Sequence, residues 1–218
     1  MNSLVVARRV GWILMSAVVL LFAVTNVRFF IDAEFSTALQ PRVYIDNALI
    51  IRVHIIAGTL AILTGPMQIW STFRDRHRYW HRFLGKIYLV GAAFGSVSAL
   101  YVAWISFGGF AAHVGFFVLA LGWGGTTLIA YRYIRAGRWR LHREWMIRSY
   151  SLALGILGVR LWFGLFSALG VERELAFAAA AWLGWVTTFI VAEVYLGWWR
   201  GRKTAAAPAE PIPAQTNI

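Results

Sequence analysis

The chain contains no cysteine. That excludes disulfides, thiolate metal sites, iron–sulfur clusters and haem attached covalently through C-x-x-C-H. Any metal or haem must be held by His, carboxylates or Met. Charge is scarce too: 14% of the 218 residues are charged and 9 are acidic, where ordinary soluble domains carry about 25% charged residues. The sequence shows no acid–base dyad, no nucleophile constellation and no phosphate-binding loop. Gly85 and Gly137 stand alone and form no G-x-G-x-x-G fingerprint.

What is present is apolar. Hydrophobic residues make up 60% of the chain, and the mean hydropathy is +0.63. A soluble domain of this size cannot bury that much apolar surface, and so apolar a chain does not stay disordered. The composition implies an all-α polytopic membrane protein. Six stretches suffice to cross a bilayer at about 20 apolar residues each, near 11–31, 51–72, 84–106, 111–131, 146–169 and 175–199. The first follows Arg8 and Arg9 but continues past Val27 without a small-residue cleavage site, so it is expected to be an anchoring helix rather than a signal peptide. Residues 1–203 form the six-helix domain in this reading. The Ala/Pro-rich stretch 204–218 reads as a disordered cytoplasmic tail.

The formal charge of +12 would suggest nucleic acid in a soluble protein. Here most of the basic residues fall in alternate loops: Arg8 and Arg9, the run Arg74 to Lys86, the run Arg132 to Arg148, and Arg200 to Lys203. By the positive-inside rule both termini are expected in the cytoplasm. No soluble basic domain remains to bind nucleic acid. Trp and Tyr crowd the same cytoplasmic ends of the spans, as an aromatic belt does.

Four of the five histidines recur at matched depths. His54 and His113 lie in the first turns of spans two and four, on the outer side, while His81 and His142 lie just before spans three and five, on the cytoplasmic side. Spans two to five are expected to form an antiparallel four-helix bundle. Each pair then sits on diagonal helices with side chains able to converge on the axis. The spacings are 27 residues from His54 to His81 and 29 from His113 to His142. Each interval holds a span with small residues and an arginine-rich loop, a pattern of two pseudo-repeated hairpins.

Two facing imidazoles at each end of a bundle suit bis-His ligation of b-type haem. The expected cofactor is two haem b groups, at His54/His113 and His81/His142. Arg82 and Arg143 are candidate partners for the haem carboxylates, as is Arg160, which a continuous helix would place about 27 Å from His142. The chain would then be a membrane redox protein, a possible transmembrane oxidoreductase exchanging electrons with quinone or another partner. A rival site of Asp75, His77, His81 and His142, with Glu144 nearby, offers ligands for Zn or Fe and would make a metal-dependent membrane enzyme or transporter. A third reading leaves the histidines interfacial in a non-catalytic membrane subunit. Gln68 and Tyr150 read as polar glue between helices.

The stretch from His54 to Arg160 resembles an uncharacterised family of bacterial polytopic membrane proteins. The likeness is carried by His54-x-x-x-Gly58, Gly65-Pro66-x-Gln68, His81-Arg82-x-x-Gly85-x-x-Tyr88, His113, and His142-Arg143-x-Trp145-Met146-x-Arg148-Ser149-Tyr150. The resemblance implies a membrane fold and brings no activity with it. In the placement of His54, His113, His81 and His142 alone, the chain is also similar to di-haem, ascorbate-dependent transmembrane b-type cytochromes, which implies haem at those positions.

Overall fold

The computed structural model describes residues 3–31 and 41–205. Among them the regular elements are helices: α1 Ser3–Ile31, α2 Pro41–Asp46, α3 Ala48–Ile69, α4 Ser71–Arg76, α5 Arg78–Trp104, α6 Gly109–Arg135, α7 Trp139–Ala153, α8 Gly155–Ala168 and α9 Arg173–Ala205. Asp32 and Glu34, the side chains of Arg8, Arg9, Arg28, Arg42, Arg202 and Lys203, and residues 206–218 of the expected tail lie outside the described residues.

Five stretches among the described residues are long and apolar enough to cross a membrane: α3, α5, α6, the pair α7–α8, and α9 as far as Gly201. In α1 the described part, Val10–Asn26, is apolar but shorter. The helices reach further at their basic ends than hydropathy indicates. The span expected from 84 begins at Arg78, and the one expected from 146 begins at Trp139. Arg and Lys are good helix formers, and their apolar stems let a helix run on past the greasy segment. His81 and His142 therefore sit at equivalent places inside the first turns of α5 and α7, not ahead of them.

The fifth span is two helices rather than one. It is interrupted at Leu154, whose carbonyl accepts a tightened bond from the Leu157 N–H at 2.9 Å. Tight turns follow α6 and α8. Gly137 and Gly170 take φ of +70° and +75°. The next N–H, of Arg138 or Val171, reaches back to Tyr133 or Phe166, which satisfies the last carbonyls of each helix.

Packing places α3 against α5, α5 against α6, α6 against α7, and α7 against α3. Helix α9 covers α8, α6 and α7, while α1 lies on α3. Without a hydrophobic drive inside lipid, helices associate where small residues let backbones approach. Gly91 of α5 does this: a Cβ there would come within 2.8 Å of the Ala57 carbonyl oxygen of α3. Ala61 and Ala92 are fully buried beside it.

Helix α3 runs through Pro66 without breaking. Proline has no N–H, so the carbonyl four residues earlier, that of Ile62, loses its helical donor. The Tyr150 hydroxyl of α7 donates to that carbonyl at 3.0 Å, and the Tyr150 ring fills the space over Gly65, where any side chain would collide with it. Gly65, Pro66 and Tyr150 are thus one device joining α3 to α7. Tyr150→Phe is expected to lower stability by about 1–2 kcal/mol by stranding a buried carbonyl, measured by thermal unfolding in detergent with tryptophan fluorescence. Unchanged stability would mean that the carbonyl has another donor.

Candidate functional site

A cavity of about 720 Å³ opens at the basic end between α3, α5, α6 and α7, a volume within the range of small-molecule sites. His81 and His142 both line it. Its apolar lining includes Ile69, Leu89, Ile134, Met146 and Ile147, together with the buried Tyr88 and Tyr150. Arg74, Arg78, Arg82, Lys86 and Arg143 line it as well, against a single acid, Asp75.

The two imidazoles are held differently. The Nδ1 of His142 lies 2.9 Å from the Ala130 carbonyl. An N–H donated there fixes the ring and leaves Nε2 uncommitted, the arrangement typical of a ligand imidazole. The Nδ1 of His81 is buried with no hydrogen-bond partner, and so is the Nε2 of Gln68 on the same cavity. Buried polar atoms are normally satisfied, and both of these orphan nitrogens belong to residues lining the one cavity. Gly85 lets Gln68 approach α5: a Cβ there would meet the Gln68 Oε1 at 3.2 Å.

The outer pair is not equivalent. His54 is held through Nδ1 to the Gly95 carbonyl at 3.1 Å, with Ser98 Oγ at 3.5 Å. His113 engages its Nε2 with the Ser106 carbonyl at 2.8 Å, and its ring leans on Trp104. His113 is thereby turned toward the α5–α6 loop. Between the two levels Trp123 packs over Gly95, where a Cβ would meet its ring at 2.7 Å. The Trp123 Nε1 donates to the Tyr88 hydroxyl at 3.4 Å. Tyr88 in turn bonds Ser149, and Ser149 bonds Thr127, each at 2.7 Å.

Of the expected carboxylate partners, Arg82 and Arg143 line the cavity. Arg143 also lies over the Trp199 ring of α9 at 4.5 Å. Arg160 is elsewhere. It donates to Asn26 at 2.7 Å and Thr25 at 3.2 Å, and sits 4.3 Å over the Phe22 ring, which ties α8 to α1. Of the rival metal site's residues, Asp75, His81 and His142 line the same cavity and His77 does not. Asp75 is bound bidentately by Arg74 at 2.8 and 3.2 Å. Those hydrogen bonds, with the charges of Arg74 and Arg78, hold its carboxyl below the usual aspartate range. His77 is exposed in the α4–α5 junction beside Phe73. Among the described residues no group of three or more His, Asp or Glu side chains is placed to hold a metal ion.

Gln68 and Tyr150 are expected as polar glue between helices, and Tyr150 does join α7 to α3; Tyr88 and Trp123 carry no expected role. Gln68, Tyr150 and Tyr88 also line the cavity, and the signal for these three lies in their places within the Gly65-Pro66, His81-Arg82 and His142-Arg143 motifs.

Residues 51–196 match a family model described as a predicted membrane protein, DUF2306. The chain belongs to that family. The match spans both histidine levels, the cavity and most of α9, and leaves α1 outside it. No function is attached to the family. No curated protein and no solved structure matches the chain.

Proposed function

We propose that this DUF2306 protein is a membrane-embedded redox protein that holds a b-type haem in the basic-end cavity, between His81 and His142. The observation that carries the reading is the pair of imidazoles from α5 and α7 on one apolar-walled cavity, one ring fixed through Nδ1 with Nε2 free, the other bearing a buried orphan nitrogen. In this reading α1 supplies a sixth span, and α3, α5, α6 and α7–α8 form an antiparallel four-helix bundle. The arginine-rich loops and both termini lie in the cytoplasm of a bacterium.

The donor set fits haem. Neutral imidazoles suit its iron, Arg82 and Arg143 suit its two carboxylates, and Ile69, Leu89, Met146 and Ile147 suit a flat apolar macrocycle. Haem bound there would supply one-electron chemistry, exchanged with a quinone or another redox partner. The protein's own contributions are separable. Ala130 orients His142, Gln68 offers a donor at the cavity wall, and Tyr88 and Tyr150 close the cavity toward the core. The reading assigns one haem rather than two, because His113 has committed the nitrogen that would face an iron.

The test is the spectrum of protein expressed with haem supplied. One haem per chain is expected, with a Soret band that shifts on reduction. His81→Ala and His142→Ala each lose it, while His113→Ala retains it. Colourless wild-type protein sinks the reading, and so does full haem retention in both inner variants. Two haems per chain, one lost with His113→Ala, would restore the outer site.

A further inference from the structure

A second concavity lies on the outward face of the α3–α5 pair, about 490 Å³ in volume. Apart from Lys86 its lining is apolar, including Ile56 and Leu60 of α3 and Phe83, Val90 and Phe94 of α5. These side chains are exposed on the face that a membrane would cover. On α5 the row Phe83, Lys86, Val90, Phe94 follows the three- and four-residue steps of one helix face. It runs about 12 Å from Lys86 to Phe94. Its apolar part points toward the middle of the membrane and its cation toward the arginine-rich side. Arg82, one turn further toward that side, is also exposed. Among the described residues neither Lys86 nor Arg82 forms an ion pair. Lys86 lines both this groove and the histidine cavity.

An apolar trough ending in an unpaired cation, Lys86, is complementary to one amphiphile above others. We infer that the groove holds an acidic phospholipid of the basic-side leaflet. Its acyl chain lies along Val90 and Phe94 and its phosphate meets Lys86, where it closes the lateral wall of the cavity. A neutral lipid would leave Lys86 without a counter-charge, and a soluble anion would leave the trough unfilled. The inference rests on the membrane reading and not on haem, so its outcome is independent of the Soret band.

The experiment uses the full chain in nanodiscs of equal parts phosphatidylglycerol and phosphatidylcholine, released for native mass spectrometry. Wild-type protein is expected to retain one phosphatidylglycerol. Lys86→Gln should lower that retention about five-fold, the effect of one cation near a lipid surface. Val90→Trp, at an exposed position, should lower it comparably by filling the trough with the charge unchanged. Arg135→Gln, at the end of α6, should leave it unchanged. Thermal midpoints in pure phosphatidylcholine check that all three variants fold. Equal loss in Arg135→Gln would reduce the effect to bulk charge, and retention of phosphatidylcholine as strongly as phosphatidylglycerol would remove the role of Lys86. Full retention in Val90→Trp would remove the groove. Any of these overturns the proposal.

Discussion

Gly158→Leu is expected to separate α8 from α9 and to cost at least about 3 kcal/mol, the upper range for overpacking. At this crossing the two backbones touch. A Cβ on Gly158 would run into the backbone of Gly184, and one on Gly184 would meet the Val159 N and the Gly155 carbonyl. A Cβ on Gly155 would come within 2.8 Å of Trp185. Ala176, Ala180 and Ala181 of α9 are fully buried along the same helix. The obstacles are mostly main chain, so no rotamer change can relieve the clash and the helices must move apart. In lipid the lost close packing has no hydrophobic effect to replace it. The control is Gly164→Ala, where nothing lies within 4 Å of the new Cβ. It should be neutral or slightly stabilising, since alanine is the better helix former. Thermal unfolding in one detergent compares the two, and equal midpoints would refute the crossing.

The second large effect concerns charge. Arg148 of α7 binds both oxygens of Glu193 on α9, at 2.6 and 3.0 Å. Its side chain is only 13% exposed. Glu144 stands 4.0 Å from the same guanidinium and also pairs with Arg200. Two cations and two carboxylates thus form a neutral cluster that fastens α9 to the helix carrying His142. Arg148→Met should cost about 2 kcal/mol: stranding a buried charge costs more than the pair itself contributes, reduced here because Glu193 is partly exposed. Adding Glu193→Gln should recover most of that loss, because no carboxylate is then left unpaired. The double-mutant cycle measures this. If the two losses simply add, the residues are not coupled and the clamp fails.

The helical class, the apolar spans and the order of basic and acidic loops were legible because each depends on local composition. The cost of placing a residue in lipid is set largely by that residue and its depth, so the contributions add along the chain. Helix ends were less legible. Arginine favours helix as well as the interface, so α5 and α7 begin six and seven residues before the hydropathy does. The cavity was half legible. Matched depth brought His81 and His142 into consideration with Arg82 and Arg143, and all four line it. The same argument applies equally to His54 and His113; His54 is held through Nδ1 by a carbonyl as His142 is, whereas His113 engages its Nε2 with the Ser106 carbonyl.

The sequence by itself determined a polytopic helical membrane protein with its basic residues at one end of the spans, and the position of each histidine along its helix, because both follow from residue type and place in the chain. Only the tertiary structure decided which way each histidine faces. That rotation is fixed by contacts between distant residues, such as the Tyr150 ring over Gly65, Gly91 against Ala57 and Trp123 against Gly95. A change of one residue along a helix turns a side chain by about 100° while moving it only about 1.5 Å in depth. Position along the axis could therefore be read from the chain alone, and facing could not.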